Sequence, residues 1–321
     1  MVGDRSQADL SVAMGWRKSL LNSTLRVMEK PHLAHVKNPA FLRTSADWKA
    51  ALWFRPPSGT EFHKQTLSTD AGTLNITVSR SPSMRAGRVV LFAHGGGYVF
   101  GSPRTHRALV AQLCHRLECE GWIPDYRLAP EHPFPAALDD LRATYDHLVG
   151  SGTSPKDIIL AGDSAGGGLT LALLLSLRED GAPLPAAVVA FSPLTDMTFS
   201  GASFFENRRS DVLLPAHRAK DAAEMYLKDC DPKNPKVSPL FGDFTGVPPI
   251  YLAAGTTEIL RDDTLRLVEA LKQQNVETQL ELQDDLPHVW PLFHGYLPEA
   301  DQTLDRIAVW AKPLLSSEDE S

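Results

Sequence analysis

The chain has 321 residues, of which 43% are hydrophobic and 22% are charged, and it carries a net charge of −7. These values are ordinary for a globular protein, and the 32 basic residues are scattered, which excludes the basic stripe that nucleic-acid binding requires. The three cysteines form neither a CxxC pair nor a cluster with histidines at zinc-ligand spacing, so we expect no structural metal.

The first 30 residues mix charged side chains with short apolar runs, which excludes the uninterrupted apolar segment of a secretory signal. No stretch approaches the roughly 18 apolar residues of a membrane span. The longest apolar run, Leu169–Leu175, is broken by Thr170 and is typical of a buried helix. We therefore expect a cytoplasmic protein without stable membrane association.

Residues 1–55 have the pattern of helical pieces, which are separated by Pro31 and Pro39. Two segments of alternating polarity follow, Glu61–Leu67 and Thr73–Ser79. The Asp-Ala-Gly turn between them predicts a β-hairpin.

From Arg88 onward, short apolar segments rich in β-branched residues alternate with helical patterns. This alternation predicts an α/β fold with a mostly parallel sheet covered on both faces, and with the early hairpin as an antiparallel edge. The predicted strands are Val89–Ala93, Gly121–Tyr126, Asp157–Ala161, Ala186–Phe191, Pro249–Ala254 and Glu277–Leu282. The predicted helices are residues 103–117, Pro135–Val149, Ala165–Arg178, Asp262–Gln274 and Leu304–Leu315.

Residues 200–246 interrupt this alternation, because they carry aromatic residues, charges and prolines without a clear strand pattern. We interpret them as an insertion above the sheet that forms a cap together with residues 1–55. Residues 56–199 and 247–321 are then left for the α/β domain that carries the chemistry.

The sequence Gly162-Asp163-Ser164-Ala165-Gly166 lies between a predicted strand and a predicted helix. A G-x-S-x-G match alone occurs by chance in roughly one chain in ten of this length. On a strand-turn-helix elbow, however, the serine is exposed above the sheet and the glycines leave room for the tight turn. The sequence therefore predicts Ser164 as a nucleophile at the positive end of a helix, against the alternative of a flexible Gly/Ser loop.

A second glycine-rich stretch, His94-Gly95-Gly96-Gly97-Tyr98, directly follows a predicted buried strand. Peptide N–H groups must reach a developing alkoxide without a Cβ in the way, so Gly96 and Gly97 are the expected oxyanion donors, with Ala165 as a third. The rival interpretation, a phosphate-binding loop, is disfavoured because neither G-x-x-x-x-G-K-[ST] nor G-x-G-x-x-G is present. We interpret His94 as structural, holding the loop through a ring hydrogen bond.

When the chain order is nucleophile, acid, histidine, the base lies C-terminal to Ser164, where His217, His288 and His294 are available. His217 lies in the predicted cap, and we interpret His294 as a partly buried surface histidine beside Phe293. His288 lies after the last predicted strand and before the last helix, and we predict it as the base.

The acid is expected after the strand Pro249–Ala254, where Glu258, Asp262 and Asp263 are available. Asp262 and Asp263 have the position of residues that offset a helix dipole at its N-terminus. We therefore predict Glu258 as the partner of His288, and Asp262 stays open as the alternative.

The chain resembles the hormone-sensitive-lipase-like family of esterases in the α/β-hydrolase superfamily. Four stretches carry the resemblance: His94–Tyr98, Asp125–Ala137, Gly162–Gly167 and Ser192–Asp196. The resemblance implies an α/β-hydrolase fold, a helical N-terminal cap, an oxyanion hole built from the glycine triplet, and no cofactor. One position departs from the family pattern, because Glu258 stands where the family usually has Asp.

The same resemblance implies that Asp125, Arg127 and Glu131 are an ion-pairing scaffold and take no part in the chemistry. It also implies a carboxylic ester hydrolase that acts on short- to medium-chain acyl esters through an acyl-enzyme. The expected partner is a small hydrophobic ester, and a homodimer is possible. Two alternatives stay open: a lactone or N-acetyl hydrolase with the same triad, and a small-molecule receptor of the same fold that has lost catalysis.

Overall fold

A computed structural model describes the backbone of residues 5–316 and the side chains of residues 15–316. The outer ends of the predicted cap and of the predicted α/β domain, residues 1–4 and 317–321, lie outside the described residues.

The centre of the molecule is an eight-stranded sheet with the order β1-β2-β4-β3-β5-β6-β7-β8. The first two strands form the predicted antiparallel hairpin at one edge, and β2 is also antiparallel to β4, whereas every pairing from β4 to β8 is parallel. The strands are β1 (Glu61–Thr69), β2 (Gly72–Arg80), β3 (Val89–Ala93), β4 (Glu120–Pro124), β5 (Ile158–Asp163), β6 (Ala187–Phe191), β7 (Ile250–Gly255) and β8 (Thr278–Gln283).

Four central strands, β3, β5, β6 and β7, are buried along their whole length. Their side chains alternate between two apolar cores, one on each face of the sheet. Leu91 and Leu160 belong to one core, and their neighbours Phe92 and Ala161 belong to the other. Burial on both faces explains why these strands are continuous apolar segments in the sequence.

The described part of the chain contains ten helices, and four of the five that were predicted with bounds agree with the structure to within one residue. They are α1 (Arg5–Thr24), α2 (Lys30–His35), α3 (Pro39–Trp53), α4 (Pro103–Leu117), α5 (Ala136–Gly150), α6 (Ala165–Glu179), α7 (Ser203–Glu206), α8 (Ala216–Leu227), α9 (Arg261–Gln273) and α10 (Pro298–Ala311). A π-helical turn, Leu25–Glu29, joins α1 to α2.

The last helix is the one whose predicted bounds are wrong, since it begins at Pro298 and not at Leu304. Proline is favoured at the first position of a helix, and the acidic Glu299 and Asp301 suit the positive end of the dipole. These polar residues mask the apolar period of the first turn. The helix ends at Ala311 because Pro313 cannot continue it.

The two segments predicted to form a cap are joined by hydrogen bonds to backbone carbonyl groups. Arg26 Nη1 donates to the carbonyl of Arg209 at 2.6 Å, and Lys30 Nζ donates to the carbonyls of Arg208 at 2.9 Å and Asp211 at 2.6 Å. The π-helical turn and α2 therefore lie against the start of the 200–246 insertion.

The predicted scaffold between β4 and α5 contains two ion pairs. Arg127 Nη2 lies 2.8 Å from Oδ1 of the buried Asp140, which also accepts the Arg127 backbone N–H at 2.8 Å. Glu131 pairs with Arg43 of α3 at 2.7 Å. The first pair stabilises the α/β domain, and the second connects that domain to α3.

We expect Arg127→Met to lower the free energy of unfolding by about 3 kcal/mol, because it leaves the Asp140 carboxylate buried without its cation. Arg142→Met is the matched control, since its partners Asp146 and Asp180 are exposed and such pairs contribute less than about 1 kcal/mol. Urea-induced unfolding of both variants measures the difference. Equal losses in the two variants would contradict a structural role for the buried pair.

Candidate active site

Ser164 lies on a sharp turn between β5 and α6, with φ 54° and ψ −123°. The turn is held by its backbone, since Ser164 N–H donates to the carbonyl of Phe191 at 2.8 Å and the Ser164 carbonyl accepts from Leu194 N–H at 2.9 Å. A Cβ on Gly166 would lie 2.1 Å from the carbonyl oxygen of Ala93, so only glycine lets α6 begin this close to β3. These contacts hold the serine above the carboxyl end of the sheet.

The glycine-rich loop after β3 is anchored to the residue that precedes the serine. Gly95 N–H donates to Oδ1 of the buried Asp163 at 2.9 Å, and Gly96 has a φ of 121°, which favours glycine. The N–H groups of Gly96, Gly97 and Ala165 have no hydrogen-bond acceptor among residues 5–316. Three backbone N–H groups of the two glycine-rich turns are therefore without a partner in this part of the chain.

His94 is buried within this loop and holds it in place. Its Nδ1 donates to the carbonyl of Gly95 at 2.9 Å, and its ring stacks on Tyr126 with 4.2 Å between the ring centroids. Burial, with the neighbouring ring of His106, lowers the pKa of His94 to about 3. The ring is thus neutral at physiological pH and its contacts are structural.

His288 and Glu258 are brought together by the loops that follow β8 and β7. His288 Nδ1 donates to Glu258 Oε2 at 2.6 Å, and both side chains are buried. The other ring nitrogen, Nε2, is buried without a hydrogen-bond partner in the described part of the chain. Burial opposes the charged ring, but the carboxylates of Glu258, Asp211 and Asp163 outweigh it and raise the pKa of His288 above its ordinary value.

The Glu258 carboxylate is held by two further donors. Its Oε1 accepts from Ser192 Oγ at 2.8 Å and from the backbone N–H of Gly255 at 2.5 Å. The same Ser192 Oγ accepts from the N–H of Val289, next to the histidine, at 3.2 Å. One serine hydroxyl therefore connects the loop of the acid to the loop of the histidine.

The other candidate residues have different partners, although His294 also lines the cavity that contains Ser164. Asp262 Oδ2 accepts from the N–H of Ser203 at 2.8 Å, and Asp263 Oδ2 accepts from the N–H groups of Thr195 and Asp196. His217 Nε2 lies 3.4 Å from the carbonyl of Ala34. The ring of His294 packs 6.2 Å from that of Phe54.

Asp211 is a residue of this site that the sequence did not reveal. Its Oδ1 accepts from the N–H groups of Leu213 and Leu214, both at 2.8 Å, and its Oδ2 accepts from Ile259 N–H at 2.9 Å. It is buried, and its charge is among those that raise the pKa of His288. An Asp side chain commonly accepts from backbone N–H groups two or three residues later, so the turn at 211–214 could be expected from the sequence. The contact with Ile259 could not.

A cavity of about 1110 Å³ lies above Ser164 and His288. Most of its surface is apolar, and both predicted cap segments line it, including Leu25 from the π-helical turn and Ala222 from α8. Within the described residues, no group of three or more His, Cys, Asp or Glu side chains could hold a metal ion. No helix in that part of the chain is long and apolar enough to cross a membrane.

Comparison with known proteins gives consistent matches. Residues 90–292 match a family model of the alpha/beta hydrolase fold. An acetyl-hydrolase from Streptomyces hygroscopicus is 39% identical over 224 residues, which cover 70% of this chain and 75% of that protein. An esterase from Acinetobacter venetianus is 35% identical over 298 residues, which cover 92% of this chain and 95% of the relative. A solved esterase of the bacterial hormone-sensitive lipase family has a TM-score of 0.85 at 35% identity, over 94% of this chain and 98% of that one.

We expect Asp211→Asn to move the acid limb of the kcat/KM pH profile to lower pH. The substitution removes a negative charge that favours the protonated ring, so the pKa of His288 falls and the neutral base persists to lower pH. Asp262→Asn is the control, because Asp262 is not among the carboxylates that raise this pKa. An unchanged acid limb in Asp211→Asn would mean that the residue only holds the loop.

Proposed function

Since this chain belongs to the alpha/beta hydrolase fold family, in its hormone-sensitive-lipase group, and is a serine hydrolase that cleaves carboxylic esters, we propose that it acts on short- to medium-chain acyl esters. We further propose that Ser164, His288 and Glu258 form the triad, and that the N–H groups of Gly96, Gly97 and Ala165 form the oxyanion hole.

The observation that carries the triad is the 2.6 Å hydrogen bond from His288 Nδ1 to Glu258 Oε2. This bond fixes the tautomer in which Nε2 is unprotonated and able to accept a proton. Nε2 has no other partner among the described residues, and His288 lines the same cavity as Ser164. The arrangement supports Ser164 as the group whose proton His288 removes.

In the acylation step, His288 Nε2 takes the hydroxyl proton as Ser164 Oγ attacks the ester carbonyl carbon. The carbonyl oxygen becomes an alkoxide, which the amides of Gly96, Gly97 and Ala165 stabilise at the positive end of α6. His288 then gives its proton to the leaving alcohol as the ester C–O bond breaks. The acyl group remains on Ser164.

In the deacylation step, His288 removes a proton from water, which attacks the acyl carbon, and Ser164 leaves with that proton. His288 is positively charged in both transition states. The buried carboxylate of Glu258 stabilises that charge, with Asp211 nearby, and this is the physical reason for a raised pKa at the base.

The cavity supports a hydrophobic acyl or alcohol group. Its volume of about 1110 Å³ lies just above the usual range for ligand pockets, about 300–1,000 Å³, and its surface is mostly apolar. Leucines at 194, 213, 214 and 260 contribute to that surface. The name of the Streptomyces relative, acetyl-hydrolase, adds acetyl esters and N-acetyl amides to the substrates worth testing.

A panel of p-nitrophenyl esters from acetate to palmitate, extended with lactones and N-acetyl amides, tests the substrate class. We expect the highest kcat/KM for short- and medium-chain esters, and a loss of about 10⁴-fold or more in Ser164→Ala with an unchanged circular dichroism spectrum. Undiminished turnover in Ser164→Ala would contradict the nucleophile. Faster turnover of lactones or amides than of any ester would favour the alternative substrates.

The acid is tested by Glu258→Gln with Asp262→Asn as the matched control. We expect Glu258→Gln to lower kcat by about 10³- to 10⁴-fold, because the amide cannot hold the required tautomer and leaves the imidazolium unstabilised. Asp262→Asn is expected to keep a rate close to that of the unmodified protein, since its carboxylate accepts from Ser203 N–H away from the histidine. The opposite pattern would assign the acid to Asp262.

A further inference from the structure

Exposed apolar side chains are concentrated on the N-terminal helices. Eight of the 13 large apolar side chains exposed in the described part of the chain lie between residues 16 and 53. We call these eight the cap face: Trp16, Leu20, Val27, Met28, Phe41, Trp48, Leu52 and Trp53. Large exposed apolar patches on a globular protein usually mark a site of interaction with another molecule or with a membrane.

The spacing of these residues places them on the outer side of the helices. Phe41, Trp48 and Leu52 are separated by seven and four residues, so they lie on one side of α3. Leu42 and Ala50 lie on the opposite side of α3 and are buried against the cavity. Val27, Trp48 and Leu52 are 72%, 75% and 67% exposed, which leaves the outer side uncovered by the described residues.

Part of the cap face lies at the cavity that contains Ser164. The ion pair from Lys49 to Glu29 at 2.7 Å connects α3 to the π-helical turn. Leu20, Met28 and Trp53 are exposed and also line the cavity that contains Ser164. A partner on this face therefore meets the entrance to the active site.

The charge of this region is opposite to that of the rest of the chain. Residues 1–55 contain nine basic and four acidic residues, a net charge of +5, so the other 266 residues carry −12. Lys18 and Arg26 donate to backbone carbonyl groups, which carry no formal charge. The segment that carries the cap face therefore combines exposed apolar side chains with a net positive charge, a combination that favours anionic lipid surfaces.

We propose that the cap face docks on an anionic phospholipid surface, with the cavity entrance turned towards the lipid. Tryptophans are favoured at the boundary between headgroups and acyl chains, and three of the eight residues are tryptophans, at positions 16, 48 and 53. The basic residues are attracted to the negative surface potential of such a membrane. Docking is peripheral and reversible, and it gives hydrophobic esters dissolved in the lipid a direct route into the cavity.

A second copy of the chain fits this face less well. A symmetric dimer places the same surface of both subunits together, so two faces that each carry net positive charge would be in contact. Such a dimer would also cover the entrance to the cavity at Leu20, Met28 and Trp53.

The test is co-sedimentation of the full-length protein with sucrose-loaded vesicles of phosphatidylcholine, with or without phosphatidylglycerol. We expect at least about fivefold more bound protein on the anionic vesicles, and loss of most of that binding at about 0.5 M NaCl. The triple variant Val27→Ser, Trp48→Ser, Leu52→Ser is expected to stay in the supernatant. Val309→Ser is the matched control, since Val309 is 77% exposed on α10, outside the cap face, and this variant should bind like the unmodified protein.

Docking does not depend on catalysis, so vesicle binding and ester hydrolysis test the docking proposal and the proposed triad separately. Ser164→Ala should bind vesicles normally, and the triple variant should keep its kcat/KM for dissolved p-nitrophenyl acetate, which also shows that it is folded. Three results would overturn the proposal: no binding by the unmodified protein, equal binding to both kinds of vesicle, or normal binding by the triple variant. A dimer in sedimentation velocity that the triple variant converts to a monomer would assign the face to a second copy instead.

Discussion

The geometry of the active site depends on the backbone conformation of Ser164. A residue with a Cβ at φ 54° is strained by about 1–3 kcal/mol, and it persists only where surrounding structure holds it. Here the carbonyl of Phe191 accepts its N–H, its own carbonyl accepts from Leu194, and the glycine at 166 lets α6 begin against β3. These contacts come from β3, from β6 and from the residues that follow β6, so both neighbours of β5 hold the elbow in place.

The second constraint is the burial of charge around His288. A carboxylate in an apolar environment is unfavourable unless its oxygens are hydrogen-bonded. Glu258 meets that requirement through Ser192, Gly255 and the histidine, and Asp211 meets it through three backbone N–H groups. Both carboxylates are therefore placed by hydrogen bonds before any substrate arrives. Preorganised negative charge of this kind stabilises an imidazolium without solvent rearrangement.

The sequence predicted the fold well because its signals are local. The four fully buried strands are continuous apolar segments, and the turn at residues 70–72 gives the hairpin. The start of α10 could not be predicted from apolar periodicity, since its first turn is acidic. For the site, chain order left three histidines, and loop position then favoured His288 and Glu258, whose Nδ1 and Oε2 atoms lie 2.6 Å apart in the structure. Asp211 escaped prediction because its contact with Ile259 joins residues 48 positions apart.

The way in which the cap is attached explains how it keeps its charge. Arg26 and Lys30 donate to backbone carbonyl groups of residues 208–211. The Asp211 carboxylate in turn accepts from the N–H of Ile259, which follows Glu258 in the chain. A hydrogen bond that involves a charged group contributes about 1.5–3 kcal/mol. The acceptors of Arg26 are carbonyl groups, which carry no formal charge, so its side chain anchors the helix without a carboxylate partner. Carboxylate partners would have given similar anchoring but would have removed the positive charge that sets the N-terminal helices apart from an otherwise acidic protein.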